Sequence, residues 1–190
     1  QSIARHSGWQ FIIDLQHRIG TGYVFSSKHQ KPEIAREWFY NYTHGLTPLR
    51  DEPRLIQWEP GYLQNPWQGN VVAMGLSGGF IDPLESNALF MIQYSITALA
   101  ECIKRDMGPK GYNKVMRGMW NKNVDYIQHH YMMTNKQDSD FWKYYNDFDC
   151  SKSVWDNFHA NGSRYHNLYP NSIWATLALY FDEVKHYEAK

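Results

Sequence analysis

The chain has 190 residues, 43% hydrophobic and 16% aromatic, a composition that supports a packed core and excludes general disorder. Its 19 basic and 19 acidic residues cancel, so no strong field is available to recruit nucleic acid or an anionic membrane. No apolar stretch approaches the roughly 20 residues that a membrane helix needs.

In chain order, the first third reads as strands. Short apolar runs broken by Gly and Pro predict strands at Trp9–Leu15, Gly22–Ser26, Arg54–Trp58 and Asn70–Met74. One helix, Lys31–Tyr42, is expected among them. There is no initiator Met and no charged-then-apolar leader, and the sequence opens close to a strand already under way. The expectation is a truncated piece of a larger protein.

Near residue 80 the character changes. Leu89, Ile92, Ile96, Leu99 and Ile103 recur at helical spacing, as do Trp120, Val124, Ile127 and Tyr131. A last helix is expected from about Asn171 to Tyr187, after the stop at Pro170. The fold class is therefore α+β, with a β-rich part over 1–80 and a helical part over 81–190. Cys102 and Cys150 lie far apart, form no metal or redox motif, and read as reduced thiols of a cytoplasmic protein.

Three places could carry chemistry. In the first, the strand at Asn70–Met74 enters a small-residue loop, Gly75-Leu76-Ser77-Gly78-Gly79, which leads through Asp82-Pro83-Leu84-Glu85-Ser86 into a long helix. Small residues let backbone amides approach a ligand, and a helix N-terminus favours anions. The same residues also make an ordinary helix start, with Asp82 as N-cap, Pro83 at N1 and Glu85 closing a capping box. The two readings differ physically. A helix begun at Pro83 uses up the amides of Asn87 and Ala88, whereas one capped by Ser86 leaves both free for an anion. The second place is the pair His129-His130, whose rings would point about 100° apart on a helix, so hydrogen-bonded or surface histidine is the expectation. The third is the aromatic load around Phe141-Trp142 and Tyr144-Tyr145, expected to fill a core.

Longer motifs add a resemblance. Gly69-Asn70-Val71-Val72-Ala73-Met74-Gly75-Leu76-Ser77-Gly78-Gly79-Phe80 with Pro83-Leu84-Glu85-Ser86 resembles the G-N-V-V-A-x-G-L-S-S-G-F and P-L-E-S block of flavin-dependent tryptophan halogenases. Leu15-Gln16-His17-Arg18-Ile19-Gly20 with Gly22-Tyr23-Val24, and His130-Tyr131 with Thr134, Asp138 and Phe141-Trp142, also follow that family's pattern in order and spacing. The family's W-x-W-x-I-P appears as Trp9-Gln10-Phe11-Ile12-Ile13-Asp14, its Glu as Asp82, and its T-G as Asn87-Ala88.

The resemblance implies an FADH2-dependent halogenase. Reduced FAD from a separate flavin reductase, with oxygen, would oxidise halide to hypohalous acid, which reaches a lysine beside an indole-like substrate. It implies Glu85 as the catalytic, substrate-side carboxylate, Asn87 and Ala88 as the halide-binding amides, and Leu76 and Leu89 as flavin contacts. The G-x-G-x-x-G fold and the catalytic lysine lie upstream in the family, so a missing N-terminal part is an implied partner, and a homodimer is compatible. The competing expectations are a non-catalytic or split fragment that binds an aromatic ligand or partner chain, and a drifted flavin monooxygenase.

Overall fold

A computed structural model of the chain describes residues 1–47, 52–132 and 134–146, apart from the side chains of Glu85 and His129. The chain divides into two compact units, Gln1–His130 and Tyr131–Lys190. The expected helix at Asn171–Tyr187 and the segment Cys150–Pro170 lie outside the described residues.

The first unit opens with an antiparallel meander, β1 (Ser2–Arg5), β2 (Gly8–Asp14) and β3 (Ile19–Phe25), in the order β1-β2-β3. Trp9 pairs with Val24 and Phe11 with Gly22. β1 escaped the sequence reading because four residues without apolar alternation carry almost no period-2 signal. One face of this sheet is held by polar groups. Gln10 is fully buried; its carboxamide oxygen accepts from Arg5 Nε and Nη2 at 2.8 and 2.6 Å, and its Nε2 donates to Thr21 Oγ1 at 3.3 Å. Tyr23 donates its hydroxyl to Gln30 Oε1 at 2.7 Å, and burial raises its pKa well above the usual phenol range.

Helix α1 (Pro32–Tyr42) starts with Lys31 as N-cap and Pro32 in the first turn, where a missing N–H costs nothing. The expected strand at Arg54–Trp58 does not form. These residues run as irregular backbone, with Leu55 and Ile56 exposed, and prolines at 53 and 60 bound the run. Trp58 instead donates its indole N–H to the Ile81 carbonyl at 3.0 Å and meets Phe80 edge-on. Short pairings follow: β4 (Gly61–Tyr62), β5 (Trp67–Gln68), β6 (Val71–Val72) and β7 (Gly79–Phe80), with β4 on β7 and β5 on β6. The strand expected at Asn70–Met74 shrinks to β6, which turns back on β5 through Gly69 at φ +57°.

Two long helices follow, α2 (Asn87–Lys104) and α3 (Gly108–Met132). Helical spacing predicted both, but the buried face of α2 differs from its apolar stripe. Its buried residues are Asn87, Met91, Ser95 and Cys102. Leu89, Ile96 and Ile103, spaced by seven, are exposed to 68%, 54% and 62%. α3 supplies Tyr112, Met116, Met119, Trp120, Tyr126 and Ile127 to the core.

The described part of the second unit contains α4 (Asp140–Asn146), whose start is capped by Ser139 Oγ accepting from the Trp142 amide. Phe141 and Trp142 are buried, with ring centroids 4.8 Å apart, and Tyr131 and Tyr145 join them. The expectation of an aromatic core holds for Phe141 and Trp142, whereas Tyr144 is exposed, and the aromatics from Trp155 onward lie outside the described residues.

Candidate functional site

The segment from β6 to α2 is built from tight backbone. After β6 the chain makes a 3₁₀ turn at Gly75–Ser77, closed by Ser77 Oγ, which accepts from the Met74 amide and donates to the Met74 carbonyl. Gly75 stands at φ +58°, and a Cβ there would come within 3.2 Å of Ile92 on α2. The loop is thereby seated directly on the helix. Its tip, Leu76, is 76% exposed.

Gly79 lies against β4. A Cβ added to it would sit 2.5 Å from the Tyr62 Cβ and 2.9 Å from the Gly61 carbonyl oxygen, so only glycine allows β7 to pair there. Tyr62 stacks on Trp120 of α3, centroids 5.5 Å apart and planes 8° from parallel, and its hydroxyl donates to Asn121. Two further α3 residues grip the same stretch. Asn113 makes reciprocal bonds with the Trp67 backbone at 2.8 and 3.0 Å, and Arg117 donates to the Gln64 carbonyl and to Asn65. Asn113, Arg117 and Asn121 are spaced by four, one face of α3, and that spacing was the available but unread sequence signal for this clamp.

The start of α2 separates the two helix-start readings. Asp82 is buried, and its Oδ1 accepts from the Leu84 amide at 2.9 Å, so it caps a turn two residues on. That turn is a separate 3₁₀ element, Leu84–Ser86, and Leu84 is fully buried beneath it. Ser86 then adopts φ +57°, ψ 26°, a left-handed conformation that breaks the run. α2 proper begins at Asn87. A helix started at Pro83 and closed by a Glu85 capping box is not formed, because the Ser86 backbone interrupts it.

The structure departs from the anion-site expectation at one amide. Ser86 is the N-cap of α2, as that reading required, yet the Asn87 amide is not free: it donates to the Leu84 carbonyl in an i→i−3 bond. The 3₁₀ turn imposes this, since it brings Leu84 under Asn87. Ala88 is the second residue of α2, a position whose amide meets no i−4 carbonyl of its own helix. The first turn of α2 holds no acidic residue, and the helix end adds a partial positive charge.

Of the other expected site residues, Leu89 is the third residue of α2 and is exposed, like Leu76. Glu85 occupies the middle of the Leu84–Ser86 turn, but its side chain lies outside the described part of the structure. His130 is buried, with Nδ1 2.9 Å from the Tyr126 carbonyl, in line with the hydrogen-bonded reading. Among the described residues no three His, Cys, Asp or Glu side chains are grouped to hold a metal.

The comparisons agree on a family. Residues 1–184 match the tryptophan halogenase family. The chain is 31% identical over 147 residues to tryptophan 6-halogenase SttH of Streptomyces toxytricini, covering 75% of this chain and 28% of that protein. It is 32% identical over 144 residues to 7-chloro-L-tryptophan 6-halogenase KtzR of Kutzneria sp., covering 74% of this chain and 28% of that one. Among solved structures, BrvH, a flavin-dependent halogenase from Brevundimonas sp., superposes with a TM-score of 0.75 at 32% identity, over 83% of this chain and 32% of its own. The chain thus spans about a third or less of the relatives it matches. With a family match over residues 1–184, this chain belongs to the flavin-dependent tryptophan halogenase family.

Proposed function

We propose that the chain forms part of a flavin-dependent halogenase acting on an aromatic, indole-like substrate, with residues 75–89 as its contribution to the reaction centre. The observation that carries this reading is the left-handed Ser86. It ends the 3₁₀ turn that holds Glu85 and opens α2, so a carboxylate-bearing turn and an anion-favouring helix end stand side by side.

A flavin suits what the chain presents. Gly75 brings the loop backbone tight against α2, while Leu76 and Leu89 expose apolar surface of the kind a flat ring covers. Leu76 and Leu89 are the residues that would hold it. Reduced FAD, delivered by a flavin reductase, would with oxygen supply the oxidising equivalents that convert halide to hypohalous acid. The chain's own residues do the rest. The Ala88 amide and the α2 end hold the halide. Glu85 orients the arene and takes the proton that the ring loses when halogen replaces it. No lysine of this chain is assigned the role of carrying the hypohalous acid.

The direct test combines the enzyme containing this chain with a flavin reductase, FAD, oxygen, chloride and an indole-like substrate, and reads products by mass spectrometry. The expected product has one aromatic hydrogen replaced by chlorine, or by bromine when bromide replaces chloride. A hydroxylated product with no halogen would instead make the protein a flavin monooxygenase.

A further inference from the structure

Two elements of the first unit expose apolar surface that calls for a partner. On α2, Leu89, Ile96 and Ile103 fall seven residues apart, which keeps them on one line over about 21 Å of helix. All three are exposed. No charged residue stands on α2 from Asn87 to Ala100, so this side of the helix is not an ordinary solvated face.

The second element is Arg54–Trp58. It has strand-forming side chains, yet its residues make no backbone–backbone hydrogen bond among the described residues. Leu55 and Ile56 are exposed to 53% and 65%. Neighbouring residues of a strand point to opposite faces, so a strand formed here is apolar on both, the pattern of one covered on each side. Trp58, bonded to the Ile81 carbonyl and set against Phe80, fixes the end of the segment beside the turn that leads into α2. Folded proteins pair or cover a bare apolar edge of this kind.

One occupant suits both elements. The five exposed aliphatic side chains offer roughly a few hundred Å², short of the about 800 Å² per partner that a stable association of separate chains buries. A segment of the same polypeptide needs less, because its high effective concentration offsets the entropy lost on association. The relatives contain such a segment, since this chain covers 28% of SttH and 32% of BrvH. Continuity says which part it is. Leu89 is assigned to the flavin, and Ile96 and Ile103 continue the same line, so the part that carries the flavin stands over them.

We propose that the flavin-carrying part of the same enzyme docks on this surface, adding a strand to Arg54–Trp58 and laying an apolar face on Ile96 and Ile103. This rests on the reading of the chain as part of a flavin-dependent halogenase, and it assigns the seam that joins the two parts.

The test uses the intact enzyme containing this chain. With the photo-crosslinking residue p-benzoylphenylalanine placed at Ile103, and separately at Ile56, irradiation is expected to give a product of monomer mass whose cross-linked peptide lies outside these 190 residues. In the unmodified enzyme the amides of residues 55–58 are expected to exchange hydrogen for deuterium at least about tenfold more slowly than free backbone. That second readout decides alone if the substituted enzymes fail to fold. A cross-link to a second copy, or to a peptide within these 190 residues, would overturn the proposal, as would freely exchanging amides at 55–58. Those results in an enzyme that still halogenates its substrate would leave the functional reading intact. The expected cross-links in an enzyme that gives no halogenated product would keep the seam and overturn the functional reading instead.

Discussion

Glu85→Gln, made in the enzyme containing this chain, is expected to lower halogenation by about 10²–10⁴-fold, the range a positioned acid–base group contributes. Oxygen consumption by reduced flavin should change little. Glu85 lies in the Leu84–Ser86 turn, anchored by fully buried Leu84 and by the Asp82–Leu84 bond, so its backbone is fixed at the mouth of α2. Glutamine keeps the size and hydrogen-bonding reach but cannot accept the arene's proton. Parallel assays of halogenated product and oxygen uptake separate the two effects. Equal losses in both would place Glu85 at the flavin instead of the substrate, and unchanged halogenation with a lower melting temperature would leave it a turn-stabilising residue only.

Gly79→Ala is expected to destabilise the first unit by about 1–3 kcal/mol, the usual cost of forcing a methyl group into filled space. The added Cβ would meet the Tyr62 Cβ at 2.5 Å and the Gly61 carbonyl at 2.9 Å, and one of these contacts is backbone that cannot rotate away. Relief requires opening the β4–β7 pair or shifting Tyr62, which is stacked on Trp120 and bonded to Asn121. The strain therefore passes to α3, and flavin-dependent activity should fall along with stability. Chemical denaturation and activity measured together test this; unaltered unfolding would mean that the β4–β7 pairing is softer than its contacts indicate.

The sequence made some of this architecture readable and hid the rest for physical reasons. α2 and α3 were legible because their apolar residues repeat at helical spacing. Which face of α2 is buried was not, since the Leu89–Ile96–Ile103 stripe is exposed while polar Asn87 and Ser95 are buried. Periodicity reports apolar faces, and here such a face is left uncovered by the described residues. Arg54–Trp58 has strand-like composition yet forms no strand pairing among the described residues, because composition says nothing about a partner strand.

At the site, Asp82-Pro83-Leu84-Glu85 and Ser86 both carry helix-start chemistry, and local propensity cannot rank them. The left-handed turn at Ser86 ranks them, through backbone geometry that a serine does not advertise. The helix start at Asn87 was thus within reach of the sequence, while the loss of the Asn87 amide to Leu84 was not. The lost amide depends on the 3₁₀ turn that brings Leu84 under Asn87.

Bromide located by anomalous diffraction tests most directly whether the start of α2 holds the halide. Crystals of the enzyme containing this chain, grown or soaked in bromide, are expected to show an anomalous peak within hydrogen-bonding distance of the Ala88 amide nitrogen. A well-ordered bromide bound elsewhere, with no peak at Ala88 and its amide bonded to a protein carbonyl, would contradict the account.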